Sequence, residues 1–306
     1  MDRRQLLKRL LLAGPVAYLG LTNCQKAGND SQNIKWAMGW ILWREYDEQE
    51  MTLTDSFQDL KDLGTDGIEL TLRKREFKQF NVTLARVKEM LDDYGLAVSG
   101  HYFSGPFYDK SSFSEIREEL QQKINSLKFF NARHIIIGPP RFSKAGNRLE
   151  TIKSMGPVLN DLGKIAQDQG VEIGIHPHLK TIIETPEDIH AIMDATDPRF
   201  VYMSPDTGHI HLGGGDVVEI LTTYKQRLNY FHFKDAAGEY TYPDFKPNLR
   251  ELGSGEIDFL AVMRLLREIK YKGWINVEQD ATELAPRASA EKSMKFIDNM
   301  LKPIYT

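Results

Sequence analysis

The feature that most constrains this chain is a rhythm. From Ile34 onward, short apolar runs alternate with longer amphipathic ones as far as the C-terminal region. The short runs are "IKWAMG" (34–39), "GIELT" (67–71), "LAVSGHY" (96–102), "RHIIIG" (133–138), "VEIGIH" (171–176), "FVYMSP" (200–205), "LNYFHF" (228–233) and "GWINVE" (273–278). Each has the length of a strand and is bounded by polar or turn-forming residues. The segments between them carry a helical period. "TLTDSFQDLKDLG" places Leu53, Phe57 and Leu60 on one face and stops at Gly64; "TLARVKEMLDDYG" begins after Asn81 and stops at Gly95. "SSFSEIREELQQKINSLKFF" is long and amphipathic, and "TPEDIHAIMDAT" opens with a Thr cap, a Pro and acids. Eight strand-plus-helix units without an internal linker predict an α/β fold, a single-domain (β/α)8 (TIM) barrel over residues 34–306. A doubly wound sheet is the alternative. It would have fewer strands and a glycine-rich phosphate turn after the first, and "AMGWILWRE" has no such turn. The units share a layout and not a repeated sequence.

The N-terminus differs in kind. "MDRRQLLKRLLLAGPVAYLGLTNC" has a basic start and a short apolar stretch, the layout of an export signal and too broken for a stable membrane span. Adjacent Arg3 and Arg4 resemble a twin-arginine signal, although Asp2 replaces the usual Ser or Thr. Residues 1–24 are therefore expected to direct export. Cys24 is the only cysteine, which excludes an intramolecular disulfide. Its place in "LTNC" resembles a lipoprotein processing site, so a membrane tether through lipidated Cys24 is an expectation, with a periplasmic or membrane-anchored product. Residues 25–33, "QKAGNDSQN", read as a polar tether. The net charge of -4 and the lack of a basic-aromatic stripe in the body exclude nucleic acid as an expected partner.

Barrels of this kind place their chemistry at the C-terminal ends of the strands. Ligand-type residues recur there: Glu69 after the second run, His101 and Tyr102 after the third, and His176 and His178 after the fifth. "SPDTGHIHLGGGD" supplies Asp206 and His209, "YFHFKD" supplies His232, Lys234 and Asp235, and "GWINVEQD" supplies Glu278. His176, Asp206, His232 and Glu278 come from four consecutive units and offer two imidazoles and two carboxylates. Converging on one axis, they would hold a divalent cation. Nitrogen and oxygen donors without thiolate suit Mn2+ first, with Co2+, Fe2+ or Zn2+ as alternatives, over Ca2+. Each residue also has a plainer role: a core histidine, a turn-capping Asp206 or a lysine-paired Glu278. Agreement among four strand ends favours one site.

"IHPHLKTIIET", "SPDTGHIHLGGGD", "YFHFKD", "ELGSGEIDF" and "GWINVEQD" occur in an order that resembles the xylose isomerase-like barrel superfamily of sugar phosphate isomerases and epimerases. The likeness is greatest to its inosose dehydratase branch and related keto-sugar lyases, and it spans nearly all of residues 34–302. It implies a metal on the residues matching His176, Asp206, His232 and Glu278. Most isomerases and epimerases of the superfamily have glutamate where this chain has His176, and that glutamate acts with the one matching Glu278 as a pair of bases. The "HxH" here resembles the dehydratase branch. Loss of one base weakens two-base epimerisation and leaves a one-base elimination open.

The chemistry expected is proton abstraction alpha to a ketone, eased by a cation at the carbonyl oxygen, followed by loss of a beta substituent. Candidate acid or base groups are Glu69, His101, His178, His209 and Lys234. Glu69 could instead orient a ligating histidine, and Lys234 could pair with Asp206 or Glu278. Trp40, Trp43, Tyr102, Phe103, Phe107 and Tyr108 could pack on sugar C–H faces or cover the barrel mouth. Arg73, Lys74 and Arg75 read as a solvated run rather than a phosphate grip, which favours an unphosphorylated substrate. The expectation is a metal-dependent lyase acting on a keto-sugar, keto-glycoside or inosose. An isomerase or epimerase of the same fold and a non-catalytic exported sugar-binding lipoprotein are the alternatives. A DNA-repair endonuclease role is disfavoured by the lack of a basic groove.

Overall fold

The computed structural model describes residues 34–44, 53–70, 81–141 and 147–305. The leader with Arg3, Arg4 and Cys24, the stretch 25–33 and the cluster Arg73, Lys74 and Arg75 lie outside the described residues.

Eight parallel strand positions form the wall. They are β1 (Lys35–Gly39), β2 (Gly67–Glu69), β3 in two pieces (Ala97–Val98 and His101–Ser104), β4 (His134–Gly138), β5 (Glu172–Ile175), β6 (Val201–Met203), β7 (Tyr230–Phe233) and β8 (Trp274–Val277). The first piece of β3 pairs with β2, and β2, β1, β8 and β7 continue in that order; the second piece pairs with β4, followed by β5 and β6. The break at Ser99–Gly100 is where β3 exchanges one neighbour for the other. A Cβ on Gly100 would lie 2.6 Å from Ile136 Cδ1 and 3.2 Å from Tyr230 Cε2, so a larger residue at the break would require these side chains to shift. Closure between β6 and β7 comes from two isolated parallel bridges, Met203 with Leu228 and Asp206 with His232. The result is the barrel expected from the alternation. The sequence predicts one strand over 96–102; the structure divides it.

Helices cover the outside. They are α1 (Leu53–Asp62), α2 (Leu84–Tyr94), α3 (Phe113–Phe129), α4 (Arg148–Gln167), α5 (Pro186–Ala195), α6 (Val217–Thr223), α7 (Phe259–Glu268) and α8 (Pro286–Phe296). Their ends follow local chemistry. Thr83 caps α2 by accepting the Arg86 N–H, and Gly95 ends it at φ 72°. Thr185 and Asp188 form a reciprocal capping box at α5, with Pro186 in the first turn. Helices α4 and α5 pack closely where α4 carries Gly156: a Cβ there would lie 2.3 Å from the Ala195 carbonyl oxygen.

Parallel strands buried on both sides need apolar side chains toward the helices. Ile135, Ile137, Ile173, Ile175, Val201, Met203, Phe231 and Phe233 supply them and are fully buried. The alternate positions point into the barrel, where polar residues accumulate toward the rim. A short rim helix, Thr207–Leu212, follows β6 before α6 begins.

Candidate metal centre

The ladder of backbone hydrogen bonds runs one step past the strands and carries candidate ligands with it. His176 N–H donates to the Ile137 carbonyl at 3.0 Å, His232 N–H to Pro205 at 2.9 Å, and Glu278 N–H to Phe233 at 3.0 Å. Asp206 faces His232 across the closing bridge. Three of the side chains meet, and Glu278 stands beside His232. His176 Nδ1 and His232 Nδ1 lie 2.9 Å apart, and Glu278 Oε2 lies 3.2 Å from His232 Nδ1. Donor atoms of His176, Asp206 and His232 all fall within 4.8 Å of one another.

Asp206 uses its two oxygens differently. Oδ1 accepts the His209 N–H at 2.8 Å and so caps the rim helix. Oδ2 lies 3.1 Å from Lys234 Nζ as an ion pair without hydrogen-bond geometry. The plain and the functional readings of this residue are thus compatible, each on its own oxygen.

The donor set fits a divalent cation. Asp206 Oδ2 and Glu278 Oε2 are buried without a hydrogen bond, held only by ion-pair contacts to Lys234 and His232, and so keep lone pairs that a cation could use. The two facing Nδ1 atoms need something shared between their lone pairs. In the metal-free chain that is a proton. Burial works against a charge on His232, but Glu278 and then Glu69 more than reverse it and lift its pKa to about 9. Burial, followed by the His232 charge, drives His176 well below the ordinary histidine range, so His232 donates and His176 accepts. Burial also lifts Glu278 to about 7, against the pull of His232 and Lys234. The group is a proton-holding cluster that a cation would enter by displacing protons.

Around it lie the candidate acid and base groups. Glu69 Oε2 accepts from His232 Nε2 at 2.6 Å and from the Tyr230 hydroxyl at 2.9 Å. Burial alone would raise Glu69, but His232 outweighs it and the carboxylate stays below its usual range. This fixes the His232 ring with Nδ1 toward the cluster, the arrangement that orients a ligating imidazole. Lys234 is fully buried and touches Asp280 Oδ2 at 2.8 Å, His209 Nε2 at 3.1 Å and Glu278 Oε1 at 3.8 Å. Burial opposes its charge, yet Asp206, Asp280 and Glu278 hold it well above the ordinary lysine value. Burial drives His209 well below its usual range, so its Nε2 accepts from Lys234.

His178 is half-buried and differs from the others. Its Nδ1 lies 2.6 Å from the Leu179 carbonyl oxygen, which can only accept, so Nδ1 carries the proton and Nε2 the lone pair. Burial and then Lys234 lower its pKa and keep it neutral. Its ring stacks on His209 at 3.8 Å between centroids, and Phe245 packs edge-on against both. His176, His178 and His209 form a second overlapping group of nitrogen donors. It has no carboxylate to balance a cation's charge, so the group with Asp206 is the better cation site.

His101 does not join the cluster. It faces α3, with Nε2 3.5 Å from Lys123 Nζ, and burial followed by Lys123 lowers its pKa to about 4. Beside the cluster lies a cavity of about 860 Å3, lined by His176, His178, Glu278, Tyr102, His101 and Lys123 among others. Of the aromatics expected at the mouth, Tyr102 and Phe103 line this cavity; Trp40, Trp43 and Phe107 are buried in the core, and Tyr108 is exposed.

The family model described as the xylose isomerase-like TIM barrel matches residues 57–300. This chain belongs to that family. An inosose dehydratase of Bacillus velezensis is 30% identical over 298 residues, covering 88% of this chain and 97% of the relative. An IOLI protein crystallised with a bound zinc atom superposes with a TM-score of 0.75 at 19% identity, covering 89% of this chain and 99% of that one. A probable 3-DHS dehydratase, AsbF, of Bacillus anthracis superposes with a TM-score of 0.72 at 16% identity, covering 87% and 99%. The two structural likenesses speak to the fold.

Within this xylose isomerase-like barrel, three site residues were missed by the sequence reading. Tyr230 stands two before His232 and Asp280 two after Glu278, so strand alternation marks both as facing the same side as a candidate ligand. Phe245 lies in the loop after β7 and carries no such signal.

Proposed function

We propose that this protein is a metal-dependent carbon–oxygen lyase that removes a proton alpha to a ketone and expels a beta hydroxyl or alkoxy group from a keto-sugar, keto-glycoside or inosose. His176, Asp206, His232 and Glu278 would hold the cation. When bound, it supplies Lewis-acid polarisation of a ketone oxygen and so acidifies the adjacent C–H. Mn2+ is the first choice for the donor set, with Co2+, Fe2+ and Zn2+ as alternatives.

The observation that carries the reading is the state of His178. Among the candidate bases it alone combines a free lone pair with a place on the cavity wall beside the cation site. Glu69 is held by His232 and Tyr230, Lys234 is a paired cation, His209 is bonded to Lys234, and His101 faces α3. His178 Nε2 takes the proton, its Nδ1–H meanwhile resting on the Leu179 carbonyl. The imidazolium so formed holds that proton beside the departing oxygen and can deliver it, which balances the elimination as loss of water or of an alcohol. Lys234 keeps the carboxylates oriented and Glu69 keeps His232 aimed. The dehydratase relatives support elimination over isomerisation, and a single free base is sufficient for it. Export, proposed from the leader at Arg3 and Arg4, favours a glycan-derived keto-glycoside over an inosose as the physiological substrate.

The test is proton NMR in D2O with the mature protein, Mn2+, and a 3-keto-glucoside or an inosose. Release of aglycone or water with formation of an enone supports the lyase. Deuterium exchange into an otherwise intact skeleton replaces it with an isomerase or epimerase.

A further inference from the structure

The first structural observation concerns a glycine. Tyr102, on the second piece of β3, pairs in register with Ile136 of β4. Gly138, two residues past Ile136, therefore faces the same interior. A Cβ at Gly138 would lie 2.1 Å from the Tyr102 hydroxyl oxygen and 2.2 Å from Cζ. The phenol fills the space of a side chain that β4 lacks. Any other residue at position 138 would push the ring out.

The second concerns what the phenol touches. Its ring stands edge-on to His176, with centroids 5.6 Å apart at 83°. It lines the cavity beside His176, His178 and Glu278. Its hydroxyl makes no hydrogen bond to a described residue. Tyr230, another tyrosine of the inner wall, shows the contrast: its hydroxyl meets both Glu69 and Ser99. A hydroxyl seated in a fitted notch and left without a partner among the described residues is placed for a partner that arrives from the cavity.

We propose that Tyr102 is a substrate-contacting residue whose O–H, seated in the Gly138 notch, donates a hydrogen bond to an oxygen of the polyol substrate over His176. This rests on the lyase reading and adds to it a specificity determinant. Sites that hydrogen-bond a substrate hydroxyl discriminate against the analogue lacking it. Tyr102 thus favours a polyol that presents an oxygen to its hydroxyl over an analogue lacking that oxygen.

The experiment compares wild type, Tyr102→Phe and Gly138→Ala, each loaded with Mn2+, on a 3-keto-glucoside and its deoxy analogues. Tyr102→Phe keeps the ring on His176, so metal content and Tm stay at wild-type values. Its kcat/KM falls about tenfold, the scale of one neutral hydrogen bond. The loss vanishes for the one deoxy analogue lacking the contacted oxygen. Gly138→Ala displaces the ring and gives at least the same loss. A Tyr102→Phe enzyme within twofold of wild type on every substrate overturns the proposal. If wild type turns over neither the 3-keto-glucoside nor an inosose, the lyase reading falls by itself. Calorimetric binding of myo-inositol and methyl β-glucoside with Mn2+ then decides Tyr102. A Kd about tenfold weaker in Tyr102→Phe supports the contact; an unchanged Kd, or no binding by wild type, overturns it.

Discussion

Glu69 and His232 lie 163 residues apart and meet with Oε2 2.6 Å from Nε2. The contact decides which nitrogen of His232 faces the cation site. Glu69→Gln keeps an oxygen in place and removes the charge. The amide can also present its NH2 group and invert the ring's preference. Metal affinity is expected to fall about 10- to 100-fold, the usual cost of losing a partner that orients a ligand. Titration with Mn2+ or Zn2+ at fixed pH measures it. An unchanged Kd would show that Nδ1 faces the site without help from Glu69.

The proton on His232 makes metal binding depend on pH. With its pKa raised to about 9, His232 is protonated at neutral pH, and a cation must displace that proton. Affinity therefore rises with pH and levels off above about 9, by about tenfold per unit between 7 and 9. Below about 7 the raised Glu278 binds a second proton, and the slope steepens to about 100-fold per unit. A pH series of metal titrations reads both breaks. A flat profile across 7 to 9 would mean that His232 is already neutral and leave the cluster without its proton.

These features were legible in the sequence to different depths. The wall of the barrel was legible because each strand is a short buried run followed by a polar residue, as in "VEIGIH" and "GWINVE". Side-chain alternation then fixes which polar residues look inward. The candidate ligands at the rim follow, because His176 and Glu278 continue the backbone ladder one step past their strands and His232 lies at the rim end of β7. Contacts across the interior are another matter. Glu69 reaches His232 over the width of the barrel, and only the closed ring's stagger brings them to one level. The break at Ser99–Gly100 resets alternation in β3, so Tyr102 faces inward and His101 turns to α3. Reading "LAVSGHY" as one strand puts both residues at the rim without distinguishing them.

Lys234 is a fully buried cation between Asp206 and Asp280, and removing it leaves two buried carboxylates uncompensated. Lys234→Met is expected to destabilise the metal-free protein by about 3–5 kcal/mol. A bound cation restores part of that loss by meeting Asp206, so added Mn2+ raises the Tm of the variant more than that of wild type. Thermal unfolding with and without Mn2+ provides the comparison. Equal metal-induced shifts in the two proteins would separate Lys234 from the cation site.

In the proposed mechanism His178 is the residue on which the chemistry turns. Its Nδ1–H is fixed on the Leu179 carbonyl, which leaves Nε2 able to accept a proton from substrate. His178→Gln preserves a polar side chain of similar reach and removes the basic nitrogen. The turn that holds it stays anchored independently, because the His178 N–H donates to the Ile183 carbonyl at 2.9 Å and Thr181 Oγ1 donates to the His178 carbonyl at 2.6 Å. Metal content and Tm are therefore expected to hold while kcat falls about 10²- to 10⁴-fold, the usual range for loss of a general base. KM stays within a few-fold, because the residues that would hold the cation are untouched. Solvent deuterium exchange at the alpha carbon separates this role from others: with the base gone, exchange stops together with elimination. If His178→Gln exchanged the alpha proton at the wild-type rate but no longer expelled the leaving group, His178 would be the acid of the second step, and another group would have to supply the base.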